Sequence, residues 1–151
     1  MSVTDRLAEL GIELPEVVAP LASYVPAVRT GNLVYTSGQL PMQGGKLPAE
    51  GKVGAEVSTD DGKALARICG LNALAAVHAL VGIDSVVRVV KVVGFVASAP
   101  GFNGQPAVVN GASELFGEVF GPAGAHARSA VGVSELPLNA PVEVELIVEI
   151  A

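Results

Sequence analysis

The sequence predicts an α+β fold, in which one sheet carries two helices on a single face and follows a short N-terminal helix. Three observations predict it. Apolar side chains recur at helical spacing over residues 58–81, and residues 86–96 are almost all apolar and largely β-branched, as in a buried strand. Residues 142–150 alternate between an apolar and a mostly acidic face, which is typical of a strand with one face in the core. The predicted order of the core elements is ββαβαββ.

The chain begins with a segment that is predicted to lie outside the sheet. Residues 4–10 are predicted to form a short helix, with Thr4 as its N-terminal cap and Gly11 as its stop. Pro15 and Pro20 then bracket an extended link.

The core begins with two short strands. Runs at 24–29 and 33–40 are strand-like, and the Thr-Gly-Asn sequence at 30–32 predicts a hairpin between them. Residues 41–57 are rich in Gly, Pro and Lys, which predicts a loop.

The remaining elements alternate between helix and strand. They are, in order, a helix over 58–81, a strand over 86–96, a helix over 105–119 and two strands over 127–133 and 142–150. Ser58 caps the first helix and Gly82 ends it, while Pro106 suits the first turn of the second helix. We expect a single domain over residues 1–151, made of an extension (1–21) and a core (22–151).

The composition indicates an oligomer. Half of the residues are hydrophobic and only 16% are charged, whereas about 25% is usual for soluble domains. The strand at 86–96 is too apolar to leave one of its faces in water, so we expect it to be covered on both faces. We therefore expect copies of the chain to pack together through their sheets as a homo-oligomer.

The compartment is predicted from what the sequence lacks. No apolar stretch reaches about 18 residues without a polar side chain, and no basic segment precedes an apolar one as in a signal peptide, so neither a membrane span nor a signal peptide is expected. The single cysteine, Cys69, excludes an internal disulfide and favours a reducing cytoplasm. Its place in a helical pattern is typical of a core residue.

Nucleic acid is not an expected partner. The net charge is −6, and the nine basic residues are scattered without a cluster. Aromatic residues make up 4% of the chain and tryptophan is absent. Proteins that bind nucleic acids usually carry a basic patch and often stack bases on aromatic rings.

Arg128 is the first candidate for a functional residue. It lies in a run of small and β-branched residues that is predicted to be a buried strand. A guanidinium keeps its charge in a protein, so burying it requires an anionic partner. Two partners remain open: a glutamate of the last strand, which would make a structural ion pair, or the carboxylate of a bound ligand, held by two parallel N–H bonds.

Further candidates offer polar groups near this strand. Glu143 begins the last strand and is expected close to the arginine, which would keep the carboxylate ionised and ready to take a proton from water. Tyr24 and Ser37 offer hydroxyl groups. Asn72 and Asn110 interrupt apolar helix faces, where each either contacts a ligand or binds a backbone group.

His126 has two open interpretations. It precedes Arg128 by two residues, so both side chains are expected on the same side of the strand. The ring is either a proton carrier beside an anion site or a half-exposed residue at the start of the strand. No metal site is expected, because His126 and His78 have no ligand partner at diagnostic spacing.

Three motifs in this order resemble the YjgF/RidA family. They are Gly31-Asn32-Leu33-Val34-Tyr35-Thr36-Ser37-Gly38-Gln39, then Ala127-Arg128-Ser129-Ala130-Val131 with Leu136-Pro137, and finally Val142-Glu143-Val144-Glu145. The resemblance covers about residues 22–150. It implies a chorismate-mutase-like α+β fold that assembles into a homotrimer with three clefts between subunits.

The resemblance also implies an activity and a site. The best-understood members hydrolyse reactive enamines and imines, such as 2-aminoacrylate, to 2-keto acids and ammonia, without a metal or organic cofactor. It implies that Arg128 binds the substrate carboxylate and that Glu143 positions or activates the water. The other residues that it places in the cleft are Tyr24, Ser37, Gly38 and Asn110.

The chain departs from typical deaminase members, which leaves three hypotheses. It has the N-terminal extension, Ala130 replaces a frequent cysteine, and the runs 110–113 and 126–132 are similar to a branch labelled endoribonuclease. The leading hypothesis is a cofactor-free hydrolase of imines and enamines of 2-amino acids. The alternative is a non-catalytic module that binds small carboxylates in the same clefts. An endoribonuclease is the third, and the acidic, aromatic-poor chain disfavours it.

Overall fold

The computed structural model describes residues 1–17 and 22–151. The predicted link from Pro15 to Pro20 therefore ends outside the described residues. The main helices and strands follow the predicted order. They are α1 (Val3–Glu9), β1 (Ala27–Thr30), β2 (Leu33–Thr36), α2 (Thr59–Val81), β3 (Val86–Ala97), α3 (Gln105–Phe120), β4 (Ala127–Val133) and β5 (Val142–Ile150).

The described strands form one five-stranded sheet in the order β1-β2-β5-β3-β4. Neighbouring strands are antiparallel except β3 and β4, which are parallel. This parallel pair follows from the chain path, because α3 returns the chain across the sheet between the two strands. As a result β3 lies between β4 and β5, the two strands that carry the arginine and the glutamate of interest.

The first hairpin is confirmed, but its strands are shorter than predicted. β1 begins only after Pro26, which has no N–H to donate to a strand ladder. β2 ends at Thr36, and Gln39 pairs again only through an isolated bridge to Val144. The turn between the strands contains Gly31 with φ of 57°, a conformation that glycine adopts at little cost.

The predicted cap of α1 is wrong. Ser2 caps the helix, because its Oγ accepts the N–H of Asp5 at 3.0 Å. Thr4 instead donates its N–H and its hydroxyl to the two carboxylate oxygens of Asp84, each at 2.8 Å. Arg6 Nε donates to the carbonyl of Glu118 at 2.9 Å. These bonds hold α1 against α3 and against the turn before β3.

The long helix α2 forms the centre of the core. It begins after Ser58, whose hydroxyl accepts the N–H of Asp61, and ends at Gly82 with φ of 79°, both as predicted. By length and composition α2 is apolar enough to cross a membrane, but 56% of its most apolar 18-residue window is buried inside this fold. Burial of this kind is typical of a helix in the core of a folded domain. Cys69 is fully buried in it, and burial raises the pKa of its thiol well above the usual value.

The helices α2 and α3 approach each other closely at Gly111. A Cβ at this position would collide with the backbone carbonyl of Lys63 in α2. The missing side chain therefore allows the two backbones to touch. This close approach fixes the position of α3, which carries two of the polar residues described below.

Both long helices pack on one face of the sheet. On that face Val92, Val96 and Val144 are completely buried. The opposite face, here called the uncovered face, has no described helix packed against it, and its apolar side chains remain partly or largely accessible. They are Val28, Tyr35, Val93, Phe95, Val131 and Ile147.

The single chain does not completely bury two of its apolar strands, and for β4 this contradicts the prediction of a buried strand. β3 is covered on its helix-facing side alone, and Val93 and Phe95 on its other side are only partly buried. β4 is an edge strand and is half-exposed rather than buried. In both cases the apolar composition of the strand predicts that its side chains are buried, and one chain by itself does not bury them completely.

Candidate functional site

Arg128 lies on the helix-facing side of β4. Its cross-strand neighbour in β3 is Val92, which is completely buried on the helix-facing side, and residues that are paired in register share one face of a sheet. The guanidinium is partly buried, because no strand flanks β4 on its outer edge among the described residues.

Two neutral oxygens from α3 hold one end of this guanidinium. Arg128 Nη1 donates to Asn110 Oδ1 at 2.7 Å and to Ser113 Oγ at 3.2 Å. Asn110 and Ser113 are three residues apart, so they lie one turn apart on the face of α3 that meets β4. The structure thus brings together Arg128 and Asn110, two of the predicted site residues.

No carboxylate pairs with Arg128 within residues 1–17 and 22–151. Of the two open alternatives, the ion pair with a glutamate of the last strand does not form within one chain, because β3 separates β4 from β5. Within the same described residues Nε and Nη2 of Arg128 make no hydrogen bond. The guanidinium keeps its positive charge and one free edge, which is the arrangement that a carboxylate can engage with two parallel bonds.

His126 lies on the same side of β4 as Arg128, as predicted. Its Nδ1 is 2.6 Å from the carbonyl oxygen of Gly124, and its Nε2 is 2.8 Å from Ser113 Oγ. The ring meets Phe116 edge to face, with ring centres 6.1 Å apart. The histidine is half-buried, which agrees with its interpretation as a half-exposed residue at the start of the strand. Both of its ring nitrogens nevertheless have partners in the fold.

Glu143 lies in a different neighbourhood, on the uncovered face of the sheet. Its cross-strand neighbour is Phe95. Its carboxylate packs against Gly38: a Cβ built on that glycine would lie 2.8 Å from Glu143 Cδ and 2.9 Å from Oε2. Burial raises the pKa of the Glu143 carboxyl, and the nearby charge of Glu145 raises it further.

Within one chain Arg128 and Glu143 do not meet. Their cross-strand partners in β3 are Val92 and Phe95, which are three residues apart and so face opposite sides of the sheet. The expectation that Arg128 keeps Glu143 ionised is therefore wrong for the single chain. Its carboxyl pKa moves upward, because desolvation and a like charge act on it without a cation to oppose them.

Of the predicted residues Tyr24, Ser37 and Gly38, Gly38 contacts Glu143 and Ser37 directly precedes Gly38 in the chain. Ser37 donates its hydroxyl to the carbonyl of Val25 at 2.6 Å, which ties it to the segment before β1. Tyr24 is 52% exposed. Together with Gly38 it lines a cavity of about 680 Å³, whose wall also includes Glu13 of the N-terminal extension.

Two other polar residues have structural roles. Asn72 donates to the carbonyls of Leu40 and Met42, both at 3.0 Å, so it binds backbone groups, one of the two roles predicted for it. His78 Nδ1 accepts the N–H of Ile83 at 3.0 Å near the end of α2. In the described part of the chain, no group of three or more His, Cys, Asp or Glu could hold a metal ion.

Ser113 is the residue of this cluster that the sequence analysis did not single out. It contacts both Arg128 and His126, and so joins two candidates that were predicted separately. The available signal was its spacing, since Ser113 follows Asn110 by three residues on one predicted helix face. A serine at that spacing is too common to be chosen without the structure.

The sequence and the fold match those of known proteins. The model of the YjgF/chorismate mutase-like endoribonuclease family matches residues 4–150. The crystal structure of the protein Atu1372 from Agrobacterium tumefaciens superimposes with a TM-score of 0.91 at 46% identity, covering 99% of this chain and 92% of the other. Protein TCP17 of Trypanosoma cruzi is 44% identical over 150 residues, which is 98% of this chain and 94% of that protein.

Relatives with a named activity are more distant. A 2-iminobutanoate/2-iminopropanoate deaminase of Dermatophagoides farinae is 34% identical over 147 residues, covering 92% of this chain and 94% of its own length. The crystal structure of Escherichia coli TdcF with bound serine has a TM-score of 0.62 at 27% identity, with 91% and 93% of the two chains covered.

These matches define a class of protein, the small α+β domains of the RidA type. The chain belongs to the YjgF/RidA family, as the sequence motifs predicted.

Proposed function

We propose that this protein hydrolyses imines and enamines of 2-amino acids to 2-keto acids and ammonia, without a cofactor. The observation that carries the proposal is the state of Arg128. Two neutral oxygens orient its guanidinium, no described carboxylate neutralises it, and one edge stays free. A small carboxylate is the ligand whose geometry and charge fit that edge.

The reaction needs a second group, and Glu143 supplies it. The imine carbon is already electrophilic, so a positioned water and an anchored carboxylate are enough for attack. As the water oxygen bonds to the imine carbon, Glu143 takes a proton from the water, the C=N electron pair moves to nitrogen, and Glu143 gives that proton to the nitrogen. The hydroxyl of the resulting carbinolamine then passes its proton through Glu143 to the nitrogen as the carbon–nitrogen bond breaks and C=O forms, so that the 2-keto acid and ammonia are released. A carboxyl whose pKa is raised above its ordinary value by burial suits both transfers.

The two groups require more than one copy of the chain. Arg128 and Glu143 lie on opposite faces of one sheet, whereas a single substrate must reach both. We propose a homotrimer in which the Arg128 neighbourhood of one subunit meets the Glu143, Gly38 and Tyr24 neighbourhood of the next. The accessible apolar side chains of the uncovered face support this assembly, because water contact with them is unfavourable.

The names of two relatives also support the proposed imine hydrolysis. The Dermatophagoides farinae relative is named as an imine deaminase, and the TdcF structure contains serine, a small molecule with an amino acid carboxylate. The bound serine also fits a second candidate function, a non-catalytic module that binds small carboxylates in the same clefts. The family description includes an endoribonuclease label, but a net charge of −6 disfavours RNA binding, which draws on basic side chains.

The first experiment measures ammonia and keto-acid release from freshly generated 2-aminoacrylate. Wild type should accelerate the release, and Arg128→Ala should reduce the catalytic efficiency by about 30-fold or more, because a desolvated contact to the substrate is lost. Arg67→Ala is the matched control, since that arginine pairs with Glu118 at the protein surface. Equal activity of wild type and Arg128→Ala would refute the anchoring role.

Glu143→Gln separates the enzyme from the binding module. If the protein is an enzyme, this variant should lose turnover while it still binds a 2-keto acid such as pyruvate. If wild type binds pyruvate but shows no hydrolysis above the uncatalysed rate, the binding module is the correct function. RNA cleavage that follows the purified oligomer and disappears in Arg128→Ala would instead support the endoribonuclease.

A further inference from the structure

The inference concerns Ser113 and His126, which the proposed function does not use. His126 Nδ1 lies 2.6 Å from the carbonyl oxygen of Gly124. A carbonyl oxygen accepts hydrogen bonds and cannot donate them, so Nδ1 carries the hydrogen. In a neutral imidazole the other nitrogen, Nε2, is then an acceptor, and the only group that donates to it among the described residues is the hydroxyl of Ser113 at 2.8 Å.

This assignment gives Ser113 a fixed direction. Its hydroxyl hydrogen points to His126, so its lone pairs are free to accept the N–H of Arg128 Nη1 at 3.2 Å. The hydrogen bonds therefore run one way, from Arg128 to Ser113, then to His126 and finally to the carbonyl of Gly124. Bonds that are aligned in one direction polarise and strengthen one another.

The carbonyl of Gly124, which accepts the last hydrogen bond of this series, belongs to a segment that is packed tightly against α3. Gly124 is buried, and a Cβ on it would collide with the backbone carbonyl of Phe116 in α3. The segment before β4 is thus pressed against the same helix that carries Ser113. The imidazole is also held by the ring of Phe116, which it meets edge to face at 81°. The whole series is therefore fixed to α3.

We propose that Ser113 and His126 are positioning residues that set the orientation of the Arg128 guanidinium. With Asn110 and Ser113 both accepting from Nη1, the free edge made of Nε and Nη2 points in one direction. A planar carboxylate that arrives at this edge makes two parallel bonds without first ordering the arginine. The site therefore favours ligands with an accessible planar carboxylate, a group that 2-imino and 2-keto acids carry.

This inference uses the proposed function only in taking Arg128 as the carboxylate anchor, and its first test needs no substrate. Nitrogen-15 NMR of the arginine side chains reports whether the Arg128 guanidinium rotates freely. In wild type the rotation of the Arg128 guanidinium should be restricted, and in Ser113→Ala and His126→Phe the guanidinium should rotate faster. His126→Phe keeps an aromatic ring against Phe116 and removes the acceptor. Ser113→Thr keeps the hydroxyl and should restore the restriction.

Ser129→Ala is the matched control, because Ser129 follows Arg128 directly but faces the other side of the sheet. It should leave the Arg128 signals unchanged. A guanidinium that rotates freely in wild type, or that rotates no faster in Ser113→Ala and His126→Phe, would overturn the inference whether or not the protein is an enzyme.

The second test measures the dissociation constant of pyruvate by calorimetry. Ser113→Ala and His126→Phe should each weaken pyruvate binding by about tenfold. In these variants the Arg128 side chain becomes ordered only when pyruvate binds, and this ordering reduces the binding free energy. The double variant should be no weaker than either single one, because the two residues act through one series. Additive losses would show that the residues act separately and would contradict the proposal. Absence of pyruvate binding by wild type would count against the proposed function, and the NMR result would then decide the inference alone.

Discussion

The carboxylate of Glu143 packs directly against the backbone of Gly38, so that a Cβ on the glycine would lie 2.8 Å from Glu143 Cδ. The glycine is not required by its backbone conformation, since its φ is not in the left-handed region. It is required by the space that the carboxylate occupies. Gly38 and Glu143 are 105 residues apart in the chain, and together they fix one carboxylate in one place.

Gly38→Ala should therefore move the Glu143 carboxylate while leaving the fold intact. The end of a glutamate side chain is flexible, so it can give way to a methyl group at little cost in stability. Because a displacement of about 1 Å at a reacting group is costly, imine hydrolysis should fall by roughly 10- to 100-fold. The measurement is kcat for 2-aminoacrylate hydrolysis together with the thermal unfolding midpoint.

Gly117→Ala is the control for this experiment. Gly117 lies in α3 with nothing within 4 Å of a Cβ, so alanine there should leave the activity unchanged and stabilise the helix slightly. If Gly38→Ala retained full activity with a folded structure, the position of the Glu143 carboxylate would not matter for the reaction.

The raised pKa of Glu143 predicts the pH dependence of the activity. The carboxyl accepts a proton from water only when it is ionised, so activity should be lost as the pH falls through this raised pKa. The charge of Glu145 is one cause of the shift. Glu145→Gln should lower the pKa of Glu143 and move the acid limb of the kcat/KM profile to lower pH.

Glu149→Gln serves as the comparison, since this glutamate lies on the same side of β5 but does not contribute to the shift. The acid limb of the kcat/KM profile of Glu149→Gln should coincide with that of wild type. A limb that stayed in place in Glu145→Gln would mean that another group controls the pH dependence.

The same pKa shift predicts an effect on stability. The pKa of Glu143 is higher in the folded protein than in the unfolded chain, so the ionised carboxyl destabilises the fold. This cost is absent below the unfolded pKa and fully present above the folded one. Glu143→Gln should therefore raise the free energy of unfolding at neutral pH, and the gain should vanish at about pH 3, where the carboxyl is protonated in both states.

Asn110→Asp tests whether the charge of Arg128 must stay available. Aspartate has nearly the shape of asparagine, so its carboxylate should take the position of the Oδ1 that now accepts from Arg128 Nη1 at 2.7 Å. The new ion pair would offset the charge that attracts the ligand. The KM should rise by about tenfold or more, with a smaller effect on kcat.

The comparison variant is Asn72→Asp. Asn72 is also a helix asparagine, but it is buried and binds the carbonyls of Leu40 and Met42 rather than the arginine. Aspartate there should lower the unfolding midpoint because it cannot donate to those carbonyls. An unchanged KM in Asn110→Asp, with the ion pair visible in a crystal structure, would show that the ligand does not depend on the charge of Arg128.

The elements of this fold could be predicted from the sequence because each one carries a local signal. Ser58 and Gly82 mark the ends of α2, and the alternation of residues 142–150 defines β5. The pairing of strands carries no such signal. Nothing in the composition of β4 and β5 shows that β3 lies between them, and so the predicted proximity of Arg128 and Glu143 does not hold within one chain.

The site was predictable to the same extent. Arg128 and Asn110 were found because a polar group on an apolar face is unusual, and the structure joins them. Ser113 is an ordinary residue on a helix, and its role depends on the position of His126 across the packing between α3 and β4. A relationship that depends on tertiary packing between two elements could not be inferred from either element alone.

The uncovered face of the sheet predicts how the assembly can be disrupted. Val93 lies on that face, partly accessible, with Glu145 as its cross-strand neighbour. Val93→Lys should be tolerated by the single chain, because the new ammonium group can pair with Glu145. It should prevent assembly, because a charge would be buried at the interface. Sedimentation velocity should show wild type at the mass of three 15.2 kDa chains and the variant at the mass of one.

Leu80→Lys is the control, since Leu80 is 46% exposed on α2, away from the sheet. It should leave the mass unchanged. The monomeric Val93→Lys protein should also lose imine hydrolysis, because Arg128 and Glu143 of one chain face opposite sides of the sheet and cannot reach one substrate. A folded monomer with full activity would contradict both the proposed trimer and the division of the site between subunits.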